Sequence, residues 1–484
     1  MSKRIAVIGA GMGGLAAAIK AREAGHDVSI YEQAESVGGT WRANRYPGVA
    51  CDVPAILYQF SFAPNPLWSH HYARGAEIHA YTQALVEQFG LADCLHLNEG
   101  VARAVWEDDG WSIETQKGAH ERFDALVPAL GQLSRPQAPD IDGLDGFAGT
   151  MFHAAEWPEN IDLSGKRVGV IGSAASAVQL IPDVARVAAH LVVFQRTANW
   201  VIPRNDQAVT PETKALMATN IEAAMRLGAS QRAMIFDNAD LFFWQAFQFT
   251  PEGRAAFTRT SLDHLARQVP DPALREKLTP DYPIGCKRIL IADDFYPALM
   301  RDNVALETAG IQAIEPNGVR TADGFHELDV LIFATGFETT EWNWSMEVVG
   351  KRGTTLREAW REGPEAYLGI MVAGFPNMFM LYGPNTNLGH NSISFMIERQ
   401  VDYMLRTLAA LEEEGAREAD VTPDGQRRFN EQLVRLLEGT VWADPQCRSW
   451  YKAANGRVYQ NWSGSCADYA EATATLDREA VALA

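Results

Sequence analysis

The stretch RIAVIGAGMGGLAAAIKAREAGHDVSIYE, residues 4–32, contains the clearest structural pattern of this chain. A short β-branched run leads into glycines, which are followed by a helix-like stretch and a second apolar run. This order predicts a strand, a tight turn, a helix and a second strand. Gly9, Gly11 and Gly14 form the GxGxxG pattern, which permits the turn, close approach of the backbone to a pyrophosphate, and tight helix–strand packing. The stretch therefore predicts a dinucleotide-binding unit.

Glu32 ends the second predicted strand and indicates which nucleotide this unit binds. A carboxylate at this place accepts hydrogen bonds from the hydroxyl groups of a ribose and repels a 2′-phosphate. The N-terminus of the helix supplies amide donors and the positive end of its dipole to the phosphates. We therefore expect the first unit to hold FAD or NAD rather than NADP.

A second stretch with the same plan, KRVGVIGSAASAVQLIPDVARVAAHLVVFQR, covers residues 166–196. Gly172 occupies the first glycine position, whereas Ala174 and Ala177 replace the second and third glycines. Alanine is a common variant at the third position, but the methyl group of Ala174 lies where a pyrophosphate should come close. We expect this loop to lie slightly farther from its phosphates than the first loop does.

The end of the second stretch favours a different coenzyme from the first. Arg196 and Thr197 stand where the first unit has its acidic residue. A guanidinium binds a 2′-phosphate through charge-assisted, paired hydrogen bonds. We therefore expect NADPH in the second unit, with Ser173 and Ser176 of the loop among its contacts.

The composition excludes several classes of protein. The chain has 484 residues, of which 47% are hydrophobic and 21% charged, as in globular proteins with roughly two to four domains. A net charge of −19 opposes binding to nucleic acid, and no apolar run reaches the roughly 18 residues of a membrane span. Without a CxxC pair, we expect all cysteines to be reduced and the protein to be cytoplasmic. The five cysteines are Cys51, Cys94, Cys286, Cys447 and Cys466.

The segment FAGTMFHAAEWP, residues 147–158, connects the two units and has the form FxGxxxHxxxWP. It resembles the fingerprint of type I Baeyer–Villiger monooxygenases, a group within the flavin-containing monooxygenase superfamily. The resemblance implies that the segment is a linker coupling two domains, and that His153 orients backbone rather than transferring protons. The residues that match the fingerprint are Phe147, Gly149, His153 and Trp157.

Two further stretches are similar to active-site motifs of the same family. GGTWRANRYPGVACD, residues 38–52, is similar to a flavin-side motif that ends in an active-site aspartate, here Asp52. YPIGCKR, residues 282–288, is similar to the segment with the catalytic arginine, here Arg288, preceded by a lysine that recognises the 2′-phosphate, here Lys287. The other flavin-binding candidates in the first motif are Gly39, Thr40 and Trp41.

Shorter stretches extend the resemblance over most of the chain. ATGF (residues 334–337), YGPNTNLGHNS (residues 382–392) and SWY (residues 449–451) all lie where the family has them. Within SWY, Trp450 is the candidate contact to the nicotinamide coenzyme. The chain departs from the best-known members just after it, where KAANGR replaces a glycine-rich loop, and an earlier ATG-like site reads ALG at residues 129–131.

The resemblance implies a reaction in which the flavin carries the oxygen. NADPH reduces FAD, dioxygen adds to the reduced ring, and the resulting peroxyflavin anion attacks a ketone to give an ester or lactone. Such an anion needs a fixed positive charge in a water-poor pocket, and an arginine supplies one at any relevant pH. Arg288 is the candidate for that charge, and we expect Asp52 to orient it through a carboxylate–guanidinium pair.

The expected fold class is α/β, with two Rossmann-like domains for FAD and NADP and a helical insertion. We expect each domain to be built from two parts of the chain, because the second nucleotide stretch interrupts the first domain. The predicted division is residues 1–140 (FAD domain, first part), 141–160 (linker), 161–205 (NADP domain, first part), 206–282 (helical insertion), 283–337 (NADP domain, second part) and 338–484 (FAD domain, second part).

Three other functions compete with ketone oxidation. A flavin monooxygenase that oxidises nitrogen or sulfur shares both loops, but Trp157 in the linker and the pair of Lys287 and Arg288 favour the ketone enzyme. A dithiol reductase needs a CxxC or CxxxxC redox pair, which the sequence lacks. A non-catalytic protein that senses redox state has no use for Asp52 and Arg288. The sequence fits a monomer and a homodimer equally.

Overall fold

The computed structural model describes residues 2–339, 345–453 and 455–484. The first stretch folds as a strand, a turn, a helix and a strand, as predicted. The elements up to residue 128 are β1 (Arg4–Ile8), α1 (Met12–Glu23), β2 (Asp27–Tyr31), α2 (Thr40–Ala43), α3 (Gly75–Gln88), β3 (Leu95–His96), β4 (Val101–Glu107), β5 (Gly110–Thr115), β6 (His120–Phe123) and β7 (Ala125–Pro128).

A four-stranded parallel sheet forms the centre of this first unit, in the order β3-β2-β1-β7. β1 lies between β2 and β7 and is buried from Ile5 to Ile8. Both faces of such a strand are covered, which is why it is apolar along its length rather than alternating. The loop that follows β1 therefore opens at the carboxyl edge of the sheet, where nucleotides bind in folds of this kind.

The second nucleotide stretch also folds as its pattern predicts. Its elements are β8 (Thr150–His153), β9 (Arg167–Ile171), α4 (Ala175–Val187), β10 (His190–Phe194) and β11 (Val201–Ile202). β9 and β10 are parallel neighbours, and α4 packs beside them through an apolar face that includes Leu180, Ile181 and Val184. Part of the fingerprint segment forms β8, so this segment is built into the second unit as a strand.

Four helices follow: α5 (Pro211–Thr219), α6 (Ile221–Leu241), α7 (Pro251–Gln268) and α8 (Pro272–Leu278). The inner face of α7 is tied to the second unit by two buried polar side chains. Ser261 donates to the carbonyl oxygen of Val201 at 2.8 Å, and His264 Nε2 donates to that of Ala292 at 2.9 Å. α6 is mostly exposed, and its buried residues are Ala239 and Asp240.

The chain then completes the second sheet. These elements are β12 (Leu290–Ile291), α9 (Phe295–Leu299), β13 (Val304–Glu307), β14 (Ile311–Glu315), β15 (Gly318–Thr321), β16 (Phe325–Glu327) and β17 (Val330–Phe333). The sheet has the order β13-β10-β9-β17-β8, and every neighbouring pair in it is parallel. Both sheets thus have their first nucleotide-binding strand in a central position, which agrees with the predicted class of two Rossmann-like units.

The last part of the chain returns to the first unit. Its elements are β18 (Glu347–Val349), α10 (Leu356–Ala359), α11 (Ile393–Glu414), β19 (Ala419–Val421), α12 (Pro423–Leu437), α13 (Cys466–Ala472) and β20 (Val481–Leu483). β18 pairs with β4, and α11 shares a core with α1 through Val401, Met404 and Leu408. Within the described ranges, α11 included, no helix is both long and apolar enough to cross a bilayer.

The cysteines differ in part from the prediction. Cys286 and Cys447 are joined by a disulfide, so the expectation of reduced thiols is wrong for this pair. Their separation of 161 residues gives no local spacing signal, and only the packing of distant segments brings them together. Cys51, Cys94 and Cys466 are free and buried. The disulfide removes reduced thiols as a reason to expect a cytoplasmic location.

Candidate active site

At the N-terminus of α1, glycines allow the backbone of neighbouring segments to come very close together. A Cβ on Gly14 would lie 1.8 Å from the carbonyl oxygen of Gly9, so only glycine permits this turn. Gly11 faces Gly39 of the flavin-side motif, where a Cβ would lie 3.1 Å from the Cα of Gly11. Amide donors with open space in front of them are what a pyrophosphate requires. The first loop therefore fits the phosphates of FAD.

Glu32 is buried at the end of β2 and is held by the backbone of its own unit. Its carboxylate accepts hydrogen bonds from the amides of Ala10 and Ala34, both at 2.8 Å. A carboxylate oxygen has a second lone pair, so each oxygen can also accept from a hydroxyl group. The proposed contact between Glu32 and a ribose stays a prediction.

The flavin-side motif begins at α2. Thr40 is exposed at the first position of this short helix, and Trp41 is half-buried. The indole Nε1 of Trp41 donates to the hydroxyl group of Tyr58 at 3.0 Å, and the two rings meet edge to face. Trp41 is therefore fixed against the first core, next to the glycine pair that closes the first loop.

The polar residues of the second loop are connected to the strand end and to the first unit. Ser173 donates to the carbonyl oxygen of Thr197 at 3.2 Å, and Asn199 donates to the carbonyl oxygen of Ser173 at 3.0 Å. Ser176, in the first turn of α4, lies near the hydroxyl group of Tyr46 of the flavin-side motif. The structure thus brings the loop serines and Thr197 together at the start of α4.

Two cations meet beside this loop. Arg196 is exposed after β10, and Lys287 is half-buried with its Nζ 4.3 Å from the centre of the Tyr282 ring. Burial, followed by repulsion from Arg196, lowers the pKa of Lys287. Within the part of the chain that the structure describes, neither cation is in an ion pair with a carboxylate. A pair of unneutralised cations fits the 2′-phosphate of NADPH.

Asp52 and Arg288 form the central ion pair of the site. Arg288 Nε donates to Asp52 Oδ2 and Arg288 Nη2 to Asp52 Oδ1, both at 2.6 Å. The pair joins the flavin-side motif to the segment that precedes β12, although the residues are 236 positions apart in sequence. Attraction to Asp52 outweighs burial and raises the pKa of Arg288. The Arg288 side chain is 33% exposed.

Two tyrosines lie around this pair, and the sequence analysis assigned them no role. Tyr382 and Tyr451 are near enough to Arg288 to interact with its charge, and Tyr382 donates to Asn387 Oδ1 at 2.6 Å. Burial raises the pKa of Tyr451 to about 12, against the opposite effect of Arg288, so its phenol stays neutral. The sequence already indicated that Tyr382 and Tyr451 belong to the site, because both stand in stretches that match the family.

Trp450, the candidate contact to the nicotinamide coenzyme, is exposed. Its side chain is among the exposed large hydrophobic residues, with 39% relative exposure. The ring centre lies 4.3 Å from that of Tyr451. Ala454, in the segment that follows, lies outside the described residues. A contact between Trp450 and NADP therefore stays a prediction.

The fingerprint histidine supports backbone. His153 Nδ1 accepts a hydrogen bond from the amide of Ala155 at 3.1 Å, which begins a 3₁₀ turn. The ring also meets Phe337 edge to face. Burial lowers the pKa of His153, so the ring is neutral near pH 7. These contacts agree with a residue that orients the linker rather than one that transfers protons.

Asp240, His390 and Cys466 place three metal-ligating side chains within 4.8 Å of one another. The Asp240 carboxylate accepts from His390 Nε2 at 3.2 Å and from the amides of Cys466 and Ala467 at 2.7 and 3.0 Å. Burial opposes ionisation, but these hydrogen bonds outweigh it and lower the pKa of Asp240 to about 2. Since donors of the chain already occupy the carboxylate, we interpret the cluster as a link between α6 and α13.

Comparison with known proteins identifies the family. A profile of flavin-binding monooxygenase-like proteins matches residues 2–233. A Baeyer-Villiger monooxygenase of Streptomyces coelicolor is 41% identical over 479 residues, which cover 98% of this chain and 91% of that protein. The structure of oxidised steroid monooxygenase bound to NADP is similar with a TM-score of 0.88 at 32% identity, covering 100% of this chain and 99% of that one. The complex of OTEMO with FAD and NADP is similar with a TM-score of 0.89 at 28% identity, covering 100% and 99%.

These similarities extend over both nucleotide-binding units and the segments that carry Asp52 and Arg288. They agree with the resemblance that the linker fingerprint indicated. The chain therefore belongs to the Baeyer–Villiger monooxygenases, within the flavin-binding monooxygenase-like family.

Proposed function

We propose that this protein uses FAD and NADPH to insert one oxygen atom of dioxygen next to the carbonyl group of a ketone, forming an ester or lactone. The observation that carries the proposal is the bidentate pair of Asp52 and Arg288, which joins the flavin-side motif to the coenzyme-binding unit. FAD would bind at the first loop and NADPH at the second. The names of the relatives support the same reaction.

The bound cofactors supply the hydride and carry the oxygen. The task of Arg288 is to hold positive charge where negative charge develops during oxygen transfer. Asp52 uses the Nε and Nη2 edge of the guanidinium, so the N–H groups of Nη1 remain for an oxygen atom of a bound molecule. Because the pKa of Arg288 is raised, this charge is present at every working pH. Such a donor contributes on the order of 2.7–4 kcal/mol to catalysis.

The two tyrosines complete this environment. Since the pKa of Tyr451 is about 12, its phenol is protonated at neutral pH. Tyr382 is fixed through Asn387, whose Nδ2 donates to Asn461 Oδ1 at 2.7 Å. Neutral phenols next to Arg288 add no negative charge, so among the described residues its carboxylate partner is Asp52. This favours charge stabilisation by the guanidinium.

The disulfide of Cys286 and Cys447 revives the alternative of a dithiol reductase, because it supplies a redox pair that local spacing did not reveal. The exposure of the two residues argues against this function. Cys286 is 0% exposed and Cys447 is 2% exposed, so a thiol substrate has no direct access to either sulfur atom. Ketone oxidation remains the function that the site supports best.

The function is tested first on the purified protein. We expect it to be yellow and to release FAD on denaturation. Linear, cyclic and aryl ketones, with a sulfide and an amine for comparison, would be incubated with NADPH, and the products identified. A colourless protein that does not take up FAD would contradict the proposal. Products formed from the sulfide or the amine alone would favour the oxidation of sulfur or nitrogen instead.

The role of the central pair is tested by substitution. Arg288→Ala should retain FAD and lose ester formation by about 10²–10³-fold, with the remaining NADPH oxidation diverted to hydrogen peroxide. Asp52→Ala should show a milder form of this defect, because a misaligned guanidinium keeps its charge. Arg288→Lys is the matched control, since it keeps the charge and removes the paired bonds. An unchanged ester yield in Arg288→Ala would eliminate the proposed role.

A ketone and dioxygen are the proposed small-molecule partners. We also propose a cytoplasmic location and a monomer or homodimer in solution. Light scattering of the purified protein gives the number of subunits, and cell fractionation gives the location.

A further inference from the structure

The loop that carries Asp52 runs between the two units. We call residues 46–52 the Asp52 loop. One edge of this loop is paired with the first unit: Cys51 N donates to the carbonyl oxygen of Ala73 at 2.9 Å, and Gly75 N to that of Val49 at 2.9 Å. These bonds pair residues 49–51 of the loop with residues 73–75 of the first unit, as in a short antiparallel bridge. They leave the opposite edge to the second unit.

Gln179 of α4 occupies that opposite edge. Its Nε2 donates to the carbonyl oxygen of Ala50 at 3.0 Å, and its Oε1 accepts from the amide of Ala50 at 3.3 Å. Oε1 also accepts from the hydroxyl group of Tyr46 at 3.0 Å. One side-chain amide thus bonds both backbone groups of a single residue, as a neighbouring strand would. Ala50 stands two positions before Asp52.

The approach between the Asp52 loop and α4 is close at Gly48. Its φ is +78°, and a Cβ there would lie 2.4 Å from the carbonyl oxygen of Gln179. A side chain at this position would therefore force the loop away from the helix. Glycine at residue 48 lets the loop reach the side chain of Gln179.

Apolar packing also supports the contact, because Tyr46 is buried in the core of the second unit and Val49 packs against that core. A cavity of about 420 Å³ opens between the units next to it, with Gly48, Gln179 and Arg204 in its wall. Arg204 Nη2 adds one bond from the second unit, to the carbonyl oxygen of Cys51 at 3.2 Å. Tyr46 and Val49 therefore pack on the second core, whereas the backbone of Ala50 is held by the side chain of Gln179.

We propose that Gln179 is a positioning residue, which holds the Asp52 loop against α4 and thereby keeps Asp52 aligned with Arg288. α4 begins at the second nucleotide loop, and Ser176, one turn before Gln179 on the same face, lies near the hydroxyl group of Tyr46 in the Asp52 loop. The helix that presents its N-terminus to the coenzyme thus also sets the position of the carboxylate that orients Arg288. Gln179 couples placement of the coenzyme unit to the oxygen-transfer step.

The first test is Gln179→Met, which keeps the length of the side chain and removes its three hydrogen bonds. FAD content should be unchanged, and the Kd for NADP⁺ should stay within about twofold, because Gln179 contacts neither the first loop nor the cation pair. Product formed per NADPH should fall on the order of tenfold, with a matching gain of hydrogen peroxide, since small misplacements of catalytic groups are costly. Gln179→Glu keeps both accepted bonds but turns a carboxylate oxygen toward the carbonyl oxygen of Ala50, so it should misplace the loop at least as much as Gln179→Met.

The matched control is Gln426→Met. Gln426 is similarly half-buried, and its Oε1 accepts from the amide of Ala373 at 2.7 Å in the first unit, outside the Asp52 loop. This variant loses a comparable bond and should keep the wild-type ratio of product to peroxide. Equal losses in both variants would show that Gln179 contributes only general stability and would overturn the proposal.

A second readout does not depend on turnover. Hydrogen exchange of the amides in the Asp52 loop should be on the order of fivefold faster in Gln179→Met, since the Ala50 amide loses its acceptor. In an Asp52→Ala background, Gln179→Met should change the ratio of product to peroxide little further, because both act through one alignment. Full additivity, or unchanged exchange, would overturn the proposal.

The role in turnover rests on the proposed function, and the two fail in different ways. If the wild-type protein oxidises no ketone, the proposed function fails. Faster exchange in Gln179→Met, together with a faster return of the reduced flavin to its oxidised spectrum after mixing with dioxygen, would still support the coupling. If the wild type oxidises ketones and Gln179→Met does so with unchanged product yield, the positioning role fails alone.

Discussion

The two nucleotide loops follow one backbone plan but differ at corresponding places. In the first loop, a Cβ on Gly14 would lie 1.8 Å from a carbonyl oxygen. In the second, Ala177 stands at the same position and its methyl group is fully buried. After the second strand of each unit, Glu32 is buried and bonded to its own backbone, whereas Arg196 is exposed and has no carboxylate partner among the described residues.

This difference indicates two modes of binding. In the first unit, Glu32 is already hydrogen-bonded to the backbone. The close backbone contact at Gly14 leaves no room for a side chain there. Such a site suits a cofactor that is bound as the protein folds and is then retained. The second loop keeps Arg196 and Lys287 close together without neutralisation, so their mutual repulsion is relieved only when an anion arrives. That arrangement suits a coenzyme that binds and leaves in each cycle.

The largest expected effect comes from exchanging the residues that distinguish the loops. Gly14→Ala should abolish FAD retention and destabilise the fold by about 1–3 kcal/mol or more, because its methyl group meets the Gly9 carbonyl. Ala177→Gly should cost only about 1 kcal/mol, as expected for glycine in a helix, and should keep NADPH binding. FAD content and thermal unfolding measure both. Comparable FAD losses in the two variants would mean that the clash at Gly14 does not distinguish the first loop from the second.

A covalent bond joins the segment before Arg288 to the last part of the chain, which belongs to the first unit. Cys286→Ser should therefore destabilise the protein by about 2–4 kcal/mol, because the closed loop of 161 residues no longer restricts the unfolded chain. Cys447→Ser and the double variant should show the same loss, measured by urea unfolding. The separation of unfolding into two steps would show that this bond makes the two units cooperative.

A thiol titration checks the bond directly. The denatured, unreduced protein should contain three free thiols, from Cys51, Cys94 and Cys466. Five free thiols in protein isolated under non-reducing conditions would contradict the disulfide. That result would restore reduced thiols as a reason to expect a cytoplasmic location.

Arg196→Ala tests the charge difference between the units. The KM for NADPH should rise about 10-fold or more, because a charge-assisted hydrogen bond contributes about 1.5–3 kcal/mol. The KM for NADH should change little, since NADH lacks the 2′-phosphate. Arg301→Ala, which removes another exposed arginine of the second unit, is the control. If NADPH and NADH are affected equally, Arg196 serves the shared pyrophosphate or the fold.

Local patterns predicted both nucleotide units, because strand, glycine turn and helix are encoded within about 30 residues of each other. The pair of Asp52 and Arg288 came from family resemblance, and the structure places the two side chains in contact. Two other contacts left no such signal. Gln179 and Ala50 are 129 positions apart, and Cys286 and Cys447 are 161 apart. Neither contact follows a motif spacing, since each depends on how the two units pack against each other.

The smallest expected effect is a pH dependence of coenzyme affinity. Burial and repulsion from Arg196 lower the pKa of Lys287 below its ordinary value of 10.5, and Asp281 opposes this shift only in part. Once the 2′-phosphate is fully ionised, a further rise in pH through that lowered pKa removes the charge of Lys287, and the Kd for NADP⁺ should increase a few-fold. The Kd for NAD⁺ should stay flat.

Arg196→Ala sharpens this last prediction because it removes the repulsion that adds to burial in lowering the pKa of Lys287. The pKa of Lys287 should rise in this variant, so the alkaline loss of NADP⁺ affinity should move to higher pH, although the overall affinity is lower. Lys287→Met should abolish the pH dependence altogether. Titration of flavin fluorescence with each coenzyme across the pH range measures all three proteins. A similar loss of NAD⁺ affinity at alkaline pH would assign the effect to another group. An unchanged pH profile in Lys287→Met would do the same, and either result would remove this contrast between the units.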